Sequence, residues 1–487
     1  MKQNNKTTDG FATSGKVLKV LTKEMPADLE TPVSAFLKLK KYGAKILLES
    51  VESGTILGRY SFIGINPSSK IIIDQNNLVI KNGGADLKMP HSNVNSPLES
   101  LKTVLDDFSL EVSSDYPPLL GGAVGYISYD FVRFFEKVPT KTEDSLEMPL
   151  ALFYLIDTLL VFDHVKRCLK IMTLVEDGQE DIGRVKTEQI VKLLLSPLEI
   201  PTPTAVTKST DNLKSNFEKD DFCSAVRKVK EHIVAGDAYQ LVLSQRLSGT
   251  TESDPFMIYR ALRMVNPSPY MFFLDFDDIK LVGSSPEALV RLEKGIATVR
   301  PIAGTRARSE NSEEDKKLEE QLHADEKEKA EHVMLVDLGR NDLGRCCEIG
   351  SVKVTDFMET ERYSHVMHMT SNVIGKLKPG LDQFDLFKAA FPAGTVTGAP
   401  KIKTMQLIEG LESVRRGPYA GAAGYFSLTG DMDWCITIRT IIMKDKDFFL
   451  QAGAGIVADS VPEKEFQETR DKLAALKKAI ETAEEGF

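Results

Sequence analysis

Short β-branched and aromatic runs constrain this chain most. Between Val17 and about Leu195 they read A-K-I-L-L-E-S-V, R-Y-S-F-I-G-I, K-I-I-I-D and L-V-I-K, each broken off by Gly, Asn or Pro. Runs of this length and composition suit a pleated surface. P-L-L-G-G-A-V-G-Y-I-S-Y-D adds a strand whose small residues allow a tight crossing. L-F-Y-L-I-D-T-L-L-V-F-D with C-L-K-I-M-T-L-V reads as a hairpin, and a helix is expected at the end of this part. A Pro-, Ser- and Thr-rich stretch then marks a linker at about 196–216. Beyond it strands and helices alternate. F-C-S-A-V-R-K-V-K-E-H-I-V-A-G reads as a helix ended by Gly236. A-Y-Q-L-V-L-S-Q-R reads as a strand, and D-P-F-M-I-Y-R-A-L-R-M-V as a helix stopped by N-P-S-P. Y-M-F-F-L-D-F and K-L-V-G-S-S-P read as paired strands, and one charged helix is expected from Glu313 past Met334. The class expected is α+β, antiparallel sheet covered by helices. The divisions expected are a loose arm at 1–15, an N-terminal part at 16–195, the linker, and a second part at 217–487.

At 487 residues the chain calls for two domains or one large layered one. A net charge of −10 with no basic stripe argues against nucleic-acid binding. Cys168, Cys223, Cys346, Cys347 and Cys435 form no C-x-x-C pair and no zinc spacing, which suits reduced thiols in the cytoplasm. The first residues lack the apolar core of a secretory signal, nothing resembles a plastid transit segment, and no run is long enough to cross a bilayer.

The chemistry gathers in residues 416–473. Arg439 stands in the apolar run I-T-I-R-T-I-I-M. A guanidinium there fits a carboxylate or phosphate; a structural ion pair or an edge-strand arginine fits equally. Gly453-Ala454-Gly455 reads as a turn with approachable amides, or as a plain hairpin turn; Tyr419 reads as a site residue or as core. Glu328/Glu331 and Glu465/Glu468 each place two carboxylates on one helix face, which suits Mg2+. Glu49/Glu52, Glu409/Glu412 and Glu481/Glu484 share that spacing, so spacing alone favours a solvated face. R-P-I-A-G-T-R, with Gly304 and Thr305, reads locally as an ordinary turn. His368 falls on one face of a strand between Met367 and Met369, where a core histidine is the commoner outcome. P-A-G-T-V-T-G-A-P-K fits an anion nest or a capped loop and is not a nucleotide-binding P-loop.

Together D-E-K-E-K-A-E-H-V-M-L-V-D-L-G-R-N-D-L-G-R, P-I-A-G-T-R, F-P-A-G-T-V-T-G-A-P-K, R-G-P-Y-A-G-A-A-G-Y and G-A-G-I-V-A-D-S resemble the chorismate-utilising enzymes. The resemblance is strongest to the anthranilate synthase component I family and covers about 30–170 and 217–480. It implies a large two-layer α/β sandwich of antiparallel sheets. It implies Mg2+ held by Glu331 and Glu468, with Glu328 and Glu465 around them. It implies that Arg439, Tyr419 and the amides of Gly453, Ala454 and Gly455 hold the enolpyruvyl carboxylate of chorismate, and that Gly304 and Thr305 line the substrate. Glu328 is implied as general acid, and His368 as an aid to pyruvate loss.

Two positions speak to the product. Relatives that add water carry lysine where this chain has Gln240. Aminodeoxychorismate-forming relatives often carry lysine where it has Ala303. Both differences favour anthranilate, formed from chorismate and ammonia, over isochorismate or aminodeoxychorismate. L-L-E-S, with Glu49 and Ser50, and N-P-S-P-Y-M, with Pro269, Tyr270 and Met271, resemble the family's tryptophan-binding motif and imply feedback inhibition by L-tryptophan. No cysteine lies in a Gly-flanked nucleophile turn, so a separate glutamine amidotransferase subunit (component II) is expected to supply ammonia, in a heterodimer or a dimer of heterodimers. A catalytically dead tryptophan-binding regulatory subunit is the rival from another class. The retained site residues argue against it.

Overall fold

The computed structural model describes residues 15–50, 58–91, 96–111, 115–200, 209–309, 311–362 and 366–486. The expected arm, apart from Gly15, and linker residues 201–208 lie outside them. Two large sheets form, of 13 and 12 strands among the described residues. Only the pairing of Lys16–Pro26 with Phe108–Glu111 is parallel among the paired strands described.

The sheets stack face to face. Ile46, Phe62 and Leu159 of one meet Val124, Tyr126 and Leu152 of the other in one buried cluster. Helices cover both outer faces. Pro32–Lys40, Pro255–Val265 and Pro462–Glu485 bring Phe36, Tyr259 and Leu476 to the first sheet. Pro97–Asp106, Glu326–Cys346 and Gln383–Ala390 bring Leu101, Leu343 and Phe387 to the second. The strand Tyr270–Phe276 shows why its sequence is apolar without a break: Met271 and Phe273 enter the helix-side core, while Phe272, Leu274 and Phe276 enter the core between sheets. A one-residue slip would exchange the two sets, so the register is strongly specified.

Neither sheet belongs to one side of the linker. Ala44–Glu49 pairs with Tyr270–Phe276, and Gly122–Ile127 pairs with Ala422–Ser427. Two local expectations are corrected. The run L-F-Y-L-I-D-T-L-L-V-F-D changes sheet at Asp157: Ala151–Ile156 pairs with Gly122–Ile127, and only Thr158–Asp163 forms the hairpin with Cys168–Glu176. The single charged helix is two, Ser312–Ala324 and Glu326–Cys346. Asp325 breaks it by accepting the amides of Lys327 and Glu328, an N-cap that satisfies donors a continuous helix would otherwise use. All five cysteines are free and buried. No helix among the described residues is long and apolar enough to cross a membrane.

Candidate active site

A cleft opens where the two sheets exchange chain. Met432–Ile436 lies in one sheet and Thr440–Lys444 in the other. Arg439 sits at the crossing with φ +49°, not inside a strand as its apolar neighbours suggest. Left-handed backbone at a non-glycine residue is strained by about 1 kcal/mol or more and persists where the surroundings enforce it. The Arg439 Nη1 donates to the Lys472 carbonyl at 2.7 Å. Among the described residues no carboxylate pairs with it, and burial pulls its pKa below the ordinary arginine value. The result is a desolvated cation facing the cleft without a counter-ion.

The G-A-G segment is a strand, not a turn. Gly453 stands opposite Ser244 and Gly455 opposite Val242 within Asp447–Ile456. Glycine is needed for close approach. A Cβ on Gly453 would lie 2.8 Å from both the Tyr419 hydroxyl and Val242 Cγ1, and one on Gly455 2.5 Å from Gln240 Nε2. Ala454 belongs to the core with Phe222 and Ile408. Tyr419, nearly fully buried, lines the cleft with Arg439 and Gly453, and burial raises its pKa.

Gly304 and His368 also line the cleft. The I-A-G-T-R of R-P-I-A-G-T-R lies in the strand Ile302–Ala307, bulged between Ala303 and Thr305, with Gly304 at φ +68°. Thr305 pairs in register with His368. The Gly304 carbonyl, which can only accept, lies 3.0 Å from His368 Nδ1. That nitrogen therefore carries the hydrogen, and in the neutral ring Nε2 is the basic one. Burial lowers the histidine pKa, partly offset by this bond, so the ring is neutral at pH 7.

Of the four predicted carboxylates Glu331 lines the cleft, where it accepts from Gln240 Nε2 at 3.3 Å. Glu328 lies behind Gly304 and pairs with Arg306 at 3.3 Å. Glu468 pairs with Lys472 at 2.7 Å. Burial raises the pKa of Glu465, and the Glu468 charge adds to the rise. No three acidic, His or Cys groups gather at metal-binding spacing among the described residues.

Sequence reasoning missed Glu287, Thr395 and Lys472, all lining the cleft. Glu287 is pushed up to about 7 by burial, eased by the Thr395 hydroxyl and the Lys472 ammonium. Its signal was available: a lone acid in S-S-P-E-A-L-V, between two apolar strands. The Lys472 ammonium also donates to the Gly453 carbonyl at 3.0 Å.

The predicted tryptophan residues converge elsewhere. Glu49, Ser50, Pro269, Tyr270 and Met271 all line a second cavity, between the sheets, with Tyr60, Phe62 and Tyr425. There Glu49 accepts from the Tyr259 hydroxyl and from Arg263 Nε at 3.2 Å. The Tyr270 hydroxyl donates to Asp433 at 3.1 Å, and Arg291 lies 4.0 Å from the same carboxylate. Pro269 lines both cavities.

This fold is that of a known family. The model of the chorismate binding enzymes matches residues 43–478, and the chain belongs to that family. Anthranilate synthase component 1 of Aquifex aeolicus is 48% identical over 473 residues, covering 95% of this chain and 94% of that one. The Acetivibrio thermocellus protein of the same name is 45% identical, covering 96% of each. Among solved structures, anthranilate synthase component I from Streptococcus pneumoniae superposes with a TM-score of 0.75 at 38% identity, covering 88% of this chain and 94% of that one. The menaquinone-specific isochorismate synthase of Escherichia coli, at 18% identity and TM-score 0.70, shares the fold.

Proposed function

We propose that the protein converts chorismate and ammonia to anthranilate and pyruvate. Arg439 carries this reading: a desolvated guanidinium at the cleft wall, open to a carboxylate, in a chain related along nearly its whole length to anthranilate synthase component 1. Chorismate offers two carboxylates. Arg439, Tyr419 and the strand at Gly453 suit the enolpyruvyl one.

Ammonia forms a bond to the ring while the bond to the ring hydroxyl breaks. The hydroxyl leaves as water once it takes a proton. Glu287 is better placed to give that proton than Glu328, because it lines the cleft and retains a proton near neutrality, whereas Glu328 pairs with Arg306. Loss of a ring proton then expels the enolpyruvyl group as pyruvate and leaves an aromatic ring. His368 Nε2, basic because Nδ1 is committed to Gly304, suits that proton.

The donor set fits Mg2+. This ion is commonly held by one or two carboxylates plus substrate oxygens and waters, which needs no closed cage. Glu331 and Glu468 would hold it, near Glu328 and Glu465; burial, and to a smaller extent the Glu468 charge, raises the pKa of Glu465, a cost that a cation there would relieve. Bound there, it would neutralise the ring carboxylate. The cavity between the sheets suits L-tryptophan: aromatic walls for the indole, and Glu49, Asp433 and Arg291 for a zwitterion. The buried Ser50 hydroxyl has no partner among the described residues and is open to a ligand. A glutamine amidotransferase subunit would deliver ammonia, since every cysteine is buried. Aminodeoxychorismate is the weaker reading, because Ala303 lines the cleft in place of a lysine nucleophile.

The test uses the purified chain with chorismate, Mg2+ and ammonium salt at alkaline pH, following anthranilate fluorescence and pyruvate together. Equal yields of both, abolished by a chelator, suppressed by tryptophan and not supported by glutamine alone, are expected. Chorismate consumed without pyruvate would point to aminodeoxychorismate. No turnover with saturable tryptophan binding would leave only a regulatory subunit.

A further inference from the structure

The cleft wall that carries Tyr419 and Gly453 is braced from behind by a fully buried ion pair. Arg416 is 1% exposed and Glu412 6%. The guanidinium forks onto both carboxylate oxygens, Nε to Oε2 at 2.9 Å and Nη2 to Oε1 at 2.7 Å. Nη1 also donates to the Val396 carbonyl at 2.7 Å, and Nη2 to the Val242 carbonyl at 2.8 Å. The guanidinium carbon lies over two rings, 4.7 Å from the Tyr129 centroid and 5.7 Å from that of Tyr419. Glu412 continues the chain of contacts. It accepts the Ser244 amide at 2.9 Å and hydroxyl at 2.8 Å, and that hydroxyl accepts from Gln451 at 2.9 Å. Val242, Val396, Tyr419 and Gln451 all line the cleft.

Stability alone does not account for this arrangement. Desolvation offsets most of what a buried pair gains, and apolar replacements are often as stable. A bidentate fork instead fixes geometry, because it tolerates little displacement. The wall has little tolerance to spare. Gly453 leaves no room for a Cβ beside Tyr419 and Val242, and both of these hang on Arg416.

We propose that Arg416 and Glu412 are positioning residues for the substrate. They form a strut that holds Tyr419 and Val242 against Gly453, and so shapes the carboxylate end of the cleft beside Arg439. The proposal rests on reading the cleft as the chorismate site.

The test is steady-state kinetics of the full chain with ammonium in excess. Arg416→Lys keeps the charge and loses the fork; Glu412→Gln keeps the shape and loses the charge. For Arg416→Lys the KM for chorismate should rise about tenfold or more, with kcat within about threefold, because binding common to ground and transition states is lost. Glu412→Gln should shift KM in the same direction by a smaller factor. The KM for ammonium and the inhibition constant for tryptophan should stay at wild-type values. Folded variants with a wild-type chorismate KM would overturn the proposal, including variants whose thermal midpoint has dropped, since the pair would then serve folding alone. If Arg416→Lys does not fold, Glu412→Gln decides. A wild-type chain that consumes no chorismate overturns the reading of the cleft and this proposal with it. An active wild type with unmoved variants overturns the proposal only.

Discussion

The two cavities share Pro269 and hold their charges in opposite ways. In the cleft Arg439 has a carbonyl for company and no carboxylate among the described residues, and Glu287 retains a proton near neutrality. Between the sheets each charge is matched: Glu49 by Arg263 and Tyr259, Asp433 by Tyr270 and Arg291. An unmatched desolvated charge is unfavourable until a ligand completes it, and there it can act on charge that develops during reaction. Matched charges recognise a ligand by shape and hydrogen bonding and leave it unchanged. On the proposed reading the cleft suits turnover, and the cavity between the sheets suits recognition.

The sharpest way to break this contrast is Glu287→Gln. Loss of a positioned acid should lower kcat by about 10²- to 10⁴-fold. In the wild type the protonated form is the donor, so kcat/KM should fall as pH rises through about 7, and the variant should lose that limb. Stability gives an independent readout. The folded pKa lies above the ordinary value of 4.5, so the folded state is favoured at low pH and loses that advantage as pH rises from 4.5 through about 7. The loss is roughly 3 kcal/mol by linkage. Thermal melts at pH 5 and pH 8 should show it in the wild type and not in Glu287→Gln. An unmoved pH profile would return the acid role to Glu328.

Arg439→Ala comes next. Removing one side of a desolvated charge pair should lower kcat/KM for chorismate by about 10²- to 10³-fold. The thermal midpoint should hold or rise, because a half-buried, partly desolvated cation without a carboxylate partner among the described residues is removed. A clear drop in the midpoint would make Arg439 structural and erase the contrast. The smallest effect is expected at the other cavity. Ser50→Phe should weaken tryptophan inhibition by about tenfold or more, since a ring fills space the ligand needs, and leave uninhibited turnover within about twofold. Unchanged inhibition would remove tryptophan from that cavity.

The paired glutamates show how much of the site was legible. The five pairs singled out above share one spacing, yet their fates differ. Glu409 is buried and receives Arg133 and the Thr142 hydroxyl; Glu412 is the buried partner of Arg416. Glu481 accepts from Thr210, and Glu484 from Ser209 and Thr251. Glu331 alone among them lines the cleft. Glu52 lies outside the described residues. Spacing along a helix fixes which side chains share a face and says nothing about what that face meets. The long motifs, read together, were informative because each is a stretch of backbone with several unusual requirements at once.

What the sequence determined by itself was local and periodic. The strands Ala44–Glu49, Gln240–Thr250 and Tyr270–Phe276 and the Gly236 stop follow from residue type and spacing. Tertiary structure decided everything that depends on chain segments far apart. It placed the sheet changes at Asp157 and Arg439, turned G-A-G from a turn into a strand against Tyr419, and set Glu287 half-buried in the cleft wall. The reason is physical. Periodicity is set by the backbone of one segment, whereas burial, and with it the charge state of an acid or the value of an arginine, is set by whatever the rest of the chain brings alongside.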